Sequence, residues 1–224
     1  PRSIYRVETM VAECIRERQT KNWTSRDDEG LVDTVHSETN LDLSSGDWML
    51  LSRNHRYLKA FEELCQNQGY TYIKEGVHST DNATSRAILH WERWRKGLPL
   101  TSKEVKTLAP YVRELDRWQP REDTLLRDSP VEEQRKAQTW MDVLEIEPRR
   151  REYIRACLAN KQKLFEKPRI NISTIHRSKG GEADHVALMT DCSAQPWKQL
   201  HTDEENRVLY VGLTRARNTL TLIQ

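Results

Sequence analysis

Apolar residues recur at helical spacing at Val7, Met10, Val11, Cys14 and Ile15, which predicts an amphipathic helix over about residues 7–19. A polar stretch follows, with a short strand at 31–35. Residues 47–52, Asp-Trp-Met-Leu-Leu-Ser, read as a buried strand. Residues 55–68 read as a helix with Leu58, Phe61, Leu64 and Cys65 turned inward; Gly69 ends it and Tyr70–Ile73 opens another strand. Strand, helix and strand over so short a distance form a βαβ pattern, and that pattern implies a parallel sheet.

The pattern changes between about Asp81 and Lys167. Strand signals vanish, and Ala87, Ile88, Trp91 and Trp94 fall on one helical face. Thr101-Ser102-Lys103-Glu104 offers a capping box ahead of Val105 and Leu108. Pro110, Pro120, Pro130 and Pro148 divide the stretch into short helices. After Pro168 the α/β character returns, with strands at 170–175, 184–190 and 219–223 and a helix over about 203–214. The expected architecture is an α/β domain, residues 1–78 with 168–224, split in sequence by a mostly helical inserted subdomain at 79–167.

Composition narrows the class without naming a function. With 31% charged residues and a net charge of +2, the chain has no obligatory nucleic-acid signature. No apolar run approaches the roughly 18 residues of a membrane helix. No signal peptide is visible, and the start without Met predicts a chain that begins inside a longer protein. Cys14, Cys65, Cys157 and Cys192 have no metal-ligand spacing, so no metal site is expected and reduced cytoplasmic thiols are.

Two segments carry candidate chemistry. In Ile172-Ser173-Thr174-Ile175-His176-Arg177-Ser178-Lys179-Gly180-Gly181-Glu182, a strand runs into a donor-rich loop with paired glycines. Such a loop is expected at the carboxyl edge of a parallel sheet, where α/β folds bind ligands, and its glycines allow close approach to a phosphate or sugar. The second segment, Glu204-Glu205-Asn206-Arg207-Val208-Leu209-Tyr210-Val211-Gly212-Leu213-Thr214-Arg215-Ala216-Arg217, reads as a helix with an acidic start and a basic end. Helix-dipole pairing accounts for those charges. It gives no reason for Thr-Arg-Ala-Arg to stand beside a strand, where arginines could reach a nucleotide held by a neighbouring domain.

In this order and spacing the two segments resemble the late motifs of the UvrD/Rep/PcrA-like helicases of superfamily one. Those families carry Thr-x-His-x-x-Lys-Gly-x-Glu and then Glu-Glu-x-Arg-x-x-Tyr-Val-x-x-Thr-Arg-Ala. The stretch from Asp47 to Asn54 and the following helix are similar to the family too. So is Tyr5-Arg6, which is expected ahead of the first helix as a Tyr-Arg pair stands there. The resemblance spans about residues 1–76 and 168–224 and implies a second RecA-like motor domain with a variable inserted subdomain.

The resemblance implies roles residue by residue. Tyr5 would stack on adenine, Arg6 would reach the terminal phosphate, and Glu182, beside Gly180, would bond the ATP ribose. Arg215 would be the arginine finger. Thr174 and His176, with Arg53 and Asn54, would follow single-stranded DNA. Lys179 would support the loop, while Glu205 and Arg207 would orient the finger helix. No Walker loop is present, and Asp27-Asp28-Glu29 follows a polar run rather than a buried strand, so the phosphate cradle and the magnesium ligands are expected on an upstream RecA-like domain of the same protein. The partners implied are that domain and single-stranded DNA, with no membrane, in a bacterial or phage-type cytoplasm.

Each feature also has a plainer account. Trp91, Trp94, Trp118 and Trp140 sit at apolar helical positions and read as core rather than base-stacking platforms. Trp48 opens a buried strand and reads as core too. The runs 149–151 and 161–163 read as solvated faces that could also meet phosphates. A helicase-derived module that binds DNA or protein without catalysis is the competing function, followed by a nuclease-associated subunit. A binding module has no need for Glu182 and Arg215, which favours the motor.

Overall fold

The computed structural model describes residues 1–18, 24–115, 129, 131–190 and 202–224; Trp118, Pro120, Pro130 and Cys192 lie outside the described residues. In chain order the first elements are α1 (Arg2–Glu13), β1 (Leu31–Val35), β2 (Trp48–Ser52), α2 (His55–Gln68), β3 (Tyr72–Lys74) and β4 (Val77–His78). Next come α3 (Ala83–Arg95), α4 (Ser102–Leu108), α5 (Glu132–Ala137), α6 (Trp140–Val143) and α7 (Pro148–Ala159). The chain then gives β5 (Ile170–Thr174), β6 (Ala183–Met189), α8 (Asp203–Leu213) and β7 (Ala216–Ile223).

Strand β2 is buried at every position, as befits a parallel strand covered on both faces. It pairs in parallel with β5 on one side and β6 on the other. The seven strands run in the order β1-β7-β6-β2-β5-β3-β4, parallel except for the β3–β4 hairpin. This is the α/β, RecA-like architecture expected. Alternation divides the strands between two faces. Met49, Leu51, Val186, Leu188 and Leu220 pack with Ile4 of α1, Ile175 and Leu213 of α8. Leu50 has the opposite parity, and α2 buries Leu58, Phe61, Leu64 and Cys65. Each such side chain contributes about 1.5–3 kcal/mol by leaving water. Gly69 closes α2 at φ 70°, ψ 42°, where its left-handed conformation lets the cap N–H groups reach the Cys65 and Gln66 carbonyls.

Residues Pro1–His78 with Lys167–Gln224 form one compact unit and Ser79–Glu166 a second. In the second, Asn82 accepts the Ser85 N–H to cap α3, and Thr101 and Glu104 form a capping box on α4. Trp91 and Trp94 meet edge to face at 5.8 Å and are buried, as is Trp140, so these rings are core.

Several local expectations need correction. The first helix begins at Arg2 rather than near Val7, because buried Ile4 extends the apolar stripe of Val7 and Val11 by one turn. Strand β3 starts at Tyr72 rather than Tyr70, where pairing with β5 begins. Strand β7 starts at Ala216, opposite Ala183, so Arg217 belongs to a strand and not to a helix end. Among the described residues no helix is long and apolar enough to cross a membrane.

Between β2 and its predecessor the chain turns at Gly46, which has φ +73°; a Cβ there would lie 2.4 Å from the His185 ring. That ring stacks on Trp48 at 4.8 Å. Gly46→Ala should therefore lower stability by about 1–3 kcal/mol in urea denaturation, through backbone strain and displaced packing. An unchanged midpoint would show that the turn tolerates a side chain.

Candidate functional site

Strand register defines two edges of the sheet. Ser52, Thr174 and Met189 are level with one another at the carboxyl edge, and Ala183 and Ala216 are level at the opposite, amino edge. The segment joining β5 to β6 leaves from the first edge and arrives at the second. Its glycines therefore stand at the amino edge, and the expectation of a glycine loop at the carboxyl edge is wrong. Parallel strands joined in sequence require the connection to cross the sheet. Helix α8 makes the same crossing between β6 and β7, over about 16 Å at helical rise.

At the carboxyl edge, Arg53 donates from Nε to Glu205 Oε2 at 3.0 Å and from Nη2 to Oε1 at 2.8 Å. This fork ties the end of β2 to the first turn of α8, and both side chains are largely buried. Ser52 Oγ donates to the Asn54 carbonyl at 2.6 Å, and Asn54 stands at the N-cap position of α2. Thr174 is 5% exposed, whereas His176 and Arg177 project from a short 3-10 helix, Ile175–Ser178. Ser178 Oγ closes that turn on the Ile175 carbonyl at 2.7 Å. Gly212 lets α8 lie close against it: a Cβ there would sit 3.2 Å from Leu188 and 3.5 Å from Ile175.

At the amino edge, Gly180 has φ +85° and open space where a side chain would be. Glu182 pairs with Arg217 at 3.1 Å, both half-exposed, and Lys179 is exposed. Arg215 follows α8 and is held by three bonds. Nε donates to the Val211 carbonyl at 2.9 Å, Nη1 to the Gly181 carbonyl at 3.0 Å, and Nη2 to Thr214 Oγ1 at 2.8 Å. The Ala183 N–H also donates to the Arg215 carbonyl at 3.0 Å. An arginine, a carboxylate and an open glycine turn thus share this edge. They suit one wall of a site for a phosphorylated, sugar-bearing ligand.

Helix α1 runs beside α8 and is tied to its start. Asp203 accepts the Glu17 N–H at 2.9 Å, Asn206 donates to the Cys14 carbonyl at 3.2 Å, and Arg207 donates to the Glu17 carbonyl at 2.7 Å. Backbone N–H groups of Glu17 and Arg16 hold the Asp203 carboxyl below its ordinary range. Arg207 also lies 3.8 Å from Asp203. Sequence reasoning missed Glu8. Burial raises its pKa above the ordinary value, opposed by the amino terminus and by nearby Arg215. Burial, then Glu8 and Tyr5, push the Tyr210 hydroxyl up, while Arg215 acts the other way. The missed signal was a carboxylate on the apolar stripe of Ile4, Val7 and Val11.

The structure gathers Arg53, Asn54, Thr174, His176 and Glu205 at the carboxyl edge and Gly180, Glu182 and Arg215 at the amino edge. Arg207 faces the tail of α1. Tyr5 and Arg6 lie inside α1 rather than ahead of it, and Arg6 sits 3.8 Å from Glu29 on the surface. The spacing that suggested their nucleotide roles is therefore not the one the chain adopts.

The family described as UvrD-like helicase C-terminal domain matches residues 29–224, and the chain belongs to that family. No curated protein matches the chain. The matched residues contain both late motifs, while Tyr5 and Arg6 lie outside them.

Because the Glu8 pKa is raised, folding favours its protonated form. That contribution is full below the ordinary value of 4.5 and is lost as pH rises through the raised folded value. Glu8→Gln should therefore be more stable than the parent at neutral pH, with the advantage vanishing below about pH 4 in pH-resolved thermal melts. A variant less stable at neutral pH would mean that attraction to the amino terminus and Arg215 outweighs burial.

Proposed function

We propose that this UvrD-like helicase domain is the C-terminal motor portion of an ATP-dependent DNA helicase or translocase, one that works with an upstream RecA-like domain. The observation that supports this best is the placement of Arg215. It stands at the amino edge with Glu182 and Gly180, at the far end of the helix that Glu205 anchors at the carboxyl edge.

ATP with magnesium would supply the phosphoryl transfer that drives the cycle, and the upstream domain would hold the metal and the phosphate cradle. Three of the five N–H groups of Arg215 fix its direction, which leaves two to face a phosphoryl oxygen. A guanidinium positioned in this way stabilises charge that grows as the phosphoryl group transfers, without reorganising at that moment. Glu182 can accept from a ribose hydroxyl, and Gly180 leaves the approach open. His176, Arg53 and Asn54 line the carboxyl edge as single-strand contacts, and buried Thr174 holds the loop from beneath. Lys179 supports the turn between the two edges. Without the upstream domain this chain forms one wall of the site and should turn over no ATP. Closing that domain against Arg215 would complete the site and move the strand.

The test is DNA-stimulated ATP turnover in protein carrying both motor domains. Arg215→Ala should lower turnover by about 10³–10⁵-fold, the range of an arginine finger. Turnover within a few-fold of the parent would remove Arg215 from the reaction and leave the domain as a binding module.

A further inference from the structure

Glu75 is held in a conformation its residue type rarely adopts. It occupies φ +50° in the β3–β4 hairpin, ahead of Gly76 at φ +91°. A two-residue turn with positive φ at both positions favours Asn-Gly or Gly-Gly, so glutamate at the first position is strained. Its N–H donates to the Ile172 carbonyl at 3.0 Å, which fixes the turn against β5. The side chain is 19% exposed, and its Oε1 lies 3.3 Å from His55 Nδ1 and 3.4 Å from Arg177 Nη1. Oε1 is buried, yet neither contact has hydrogen-bond geometry.

The two partners of Glu75 flank residues proposed above as DNA contacts. His55 opens α2 two residues after Arg53, and Arg177 follows His176. Both are mostly solvent-facing, 70% for His55 and 59% for Arg177. One carboxylate therefore holds them by charge attraction without locking them in place. A purely structural ion pair would gain from close, directional bonds. An exposed arginine held loosely on one sheltered anion, with an exposed imidazole beside it, suits exchange of that anion for another.

We propose that Glu75 is an electrostatic gate on the single-strand track: it neutralises Arg177, and His55 when protonated, until a DNA phosphate takes its place. The gate rests on the assignment of the carboxyl edge to DNA. It lowers affinity for any strand too weakly held to displace the carboxylate, and so disfavours non-productive binding.

The test is fluorescence anisotropy of the full chain with a labelled oligo-dT across a salt series. Glu75→Gln keeps the side-chain size and removes the charge. It should bind several-fold tighter, with a log–log salt slope steeper by about 0.7 for each cation freed. Glu75→Gly also relieves the positive φ. It should show the same gain with a melting temperature no lower than the parent, which separates the gate from a folding defect. Arg177→Ala should weaken binding and cancel the gain in the double variant. If both Glu75 variants bind no tighter while Arg177→Ala still weakens binding, the gate is wrong and the edge assignment stands. If the parent fails to bind oligo-dT, or Arg177→Ala changes nothing, the edge assignment fails and the gate falls with it.

Discussion

The two-pronged bond between Arg53 and Glu205 sets the position of α8, and the placement of the candidate groups follows from that helix. Helix α8 is the one element among those described that begins beside the proposed DNA contacts and ends at Arg215. A charged fork largely removed from water holds geometry better than an exposed pair, whose worth is about 0–1 kcal/mol. At the other end Arg215 is fixed to the Gly181 carbonyl, so the helix joins the glycine turn to the carboxyl edge. Packing supports the strut along its length. Gly212 brings it close to Leu188 and Ile175, and Leu213 enters the same core as Met49 and Leu51.

The fold was most legible where local pattern and burial agree. Residues 55–68 are the helix their spacing suggests, because Leu58, Phe61, Leu64 and Cys65 form one buried face and Gly69 marks its own turn. Misreadings fall where a boundary depends on a distant partner. The start of α1 is set by Ile4 reaching the core shared with Leu188, and the start of β7 by pairing with Ala183. The placement of the glycine loop was missed for another reason. Pattern shows that two strands flank it, but only their parallel pairing shows that it must cross the sheet.

The candidate site was legible as motifs and not as geometry. Arg215 and Glu182 are candidates by their neighbours in sequence, and the structure adds the bonds that orient the guanidinium. Glu8 and Glu75 carry no motif. One is a carboxylate on an apolar stripe and the other a glutamate in a left-handed turn, so each breaks the rule for its place. Polar residues at such places are where departures from local rules point to use rather than error. Tyr5-Arg6 shows the reverse risk. A two-residue match without its structural context fell on the interior of a helix.

On the proposed function, helix α8 mechanically links strand binding to Arg215. The most direct measurement is the ratio of ATP turnover with and without oligo-dT, in protein carrying both motor domains, for the parent and for Glu205→Gln. Loss of the fork should reduce that ratio by roughly tenfold, within the span of typical coupling between sites. A Glu205→Gln protein stimulated by DNA as strongly as the parent would contradict the strut and separate the two edges.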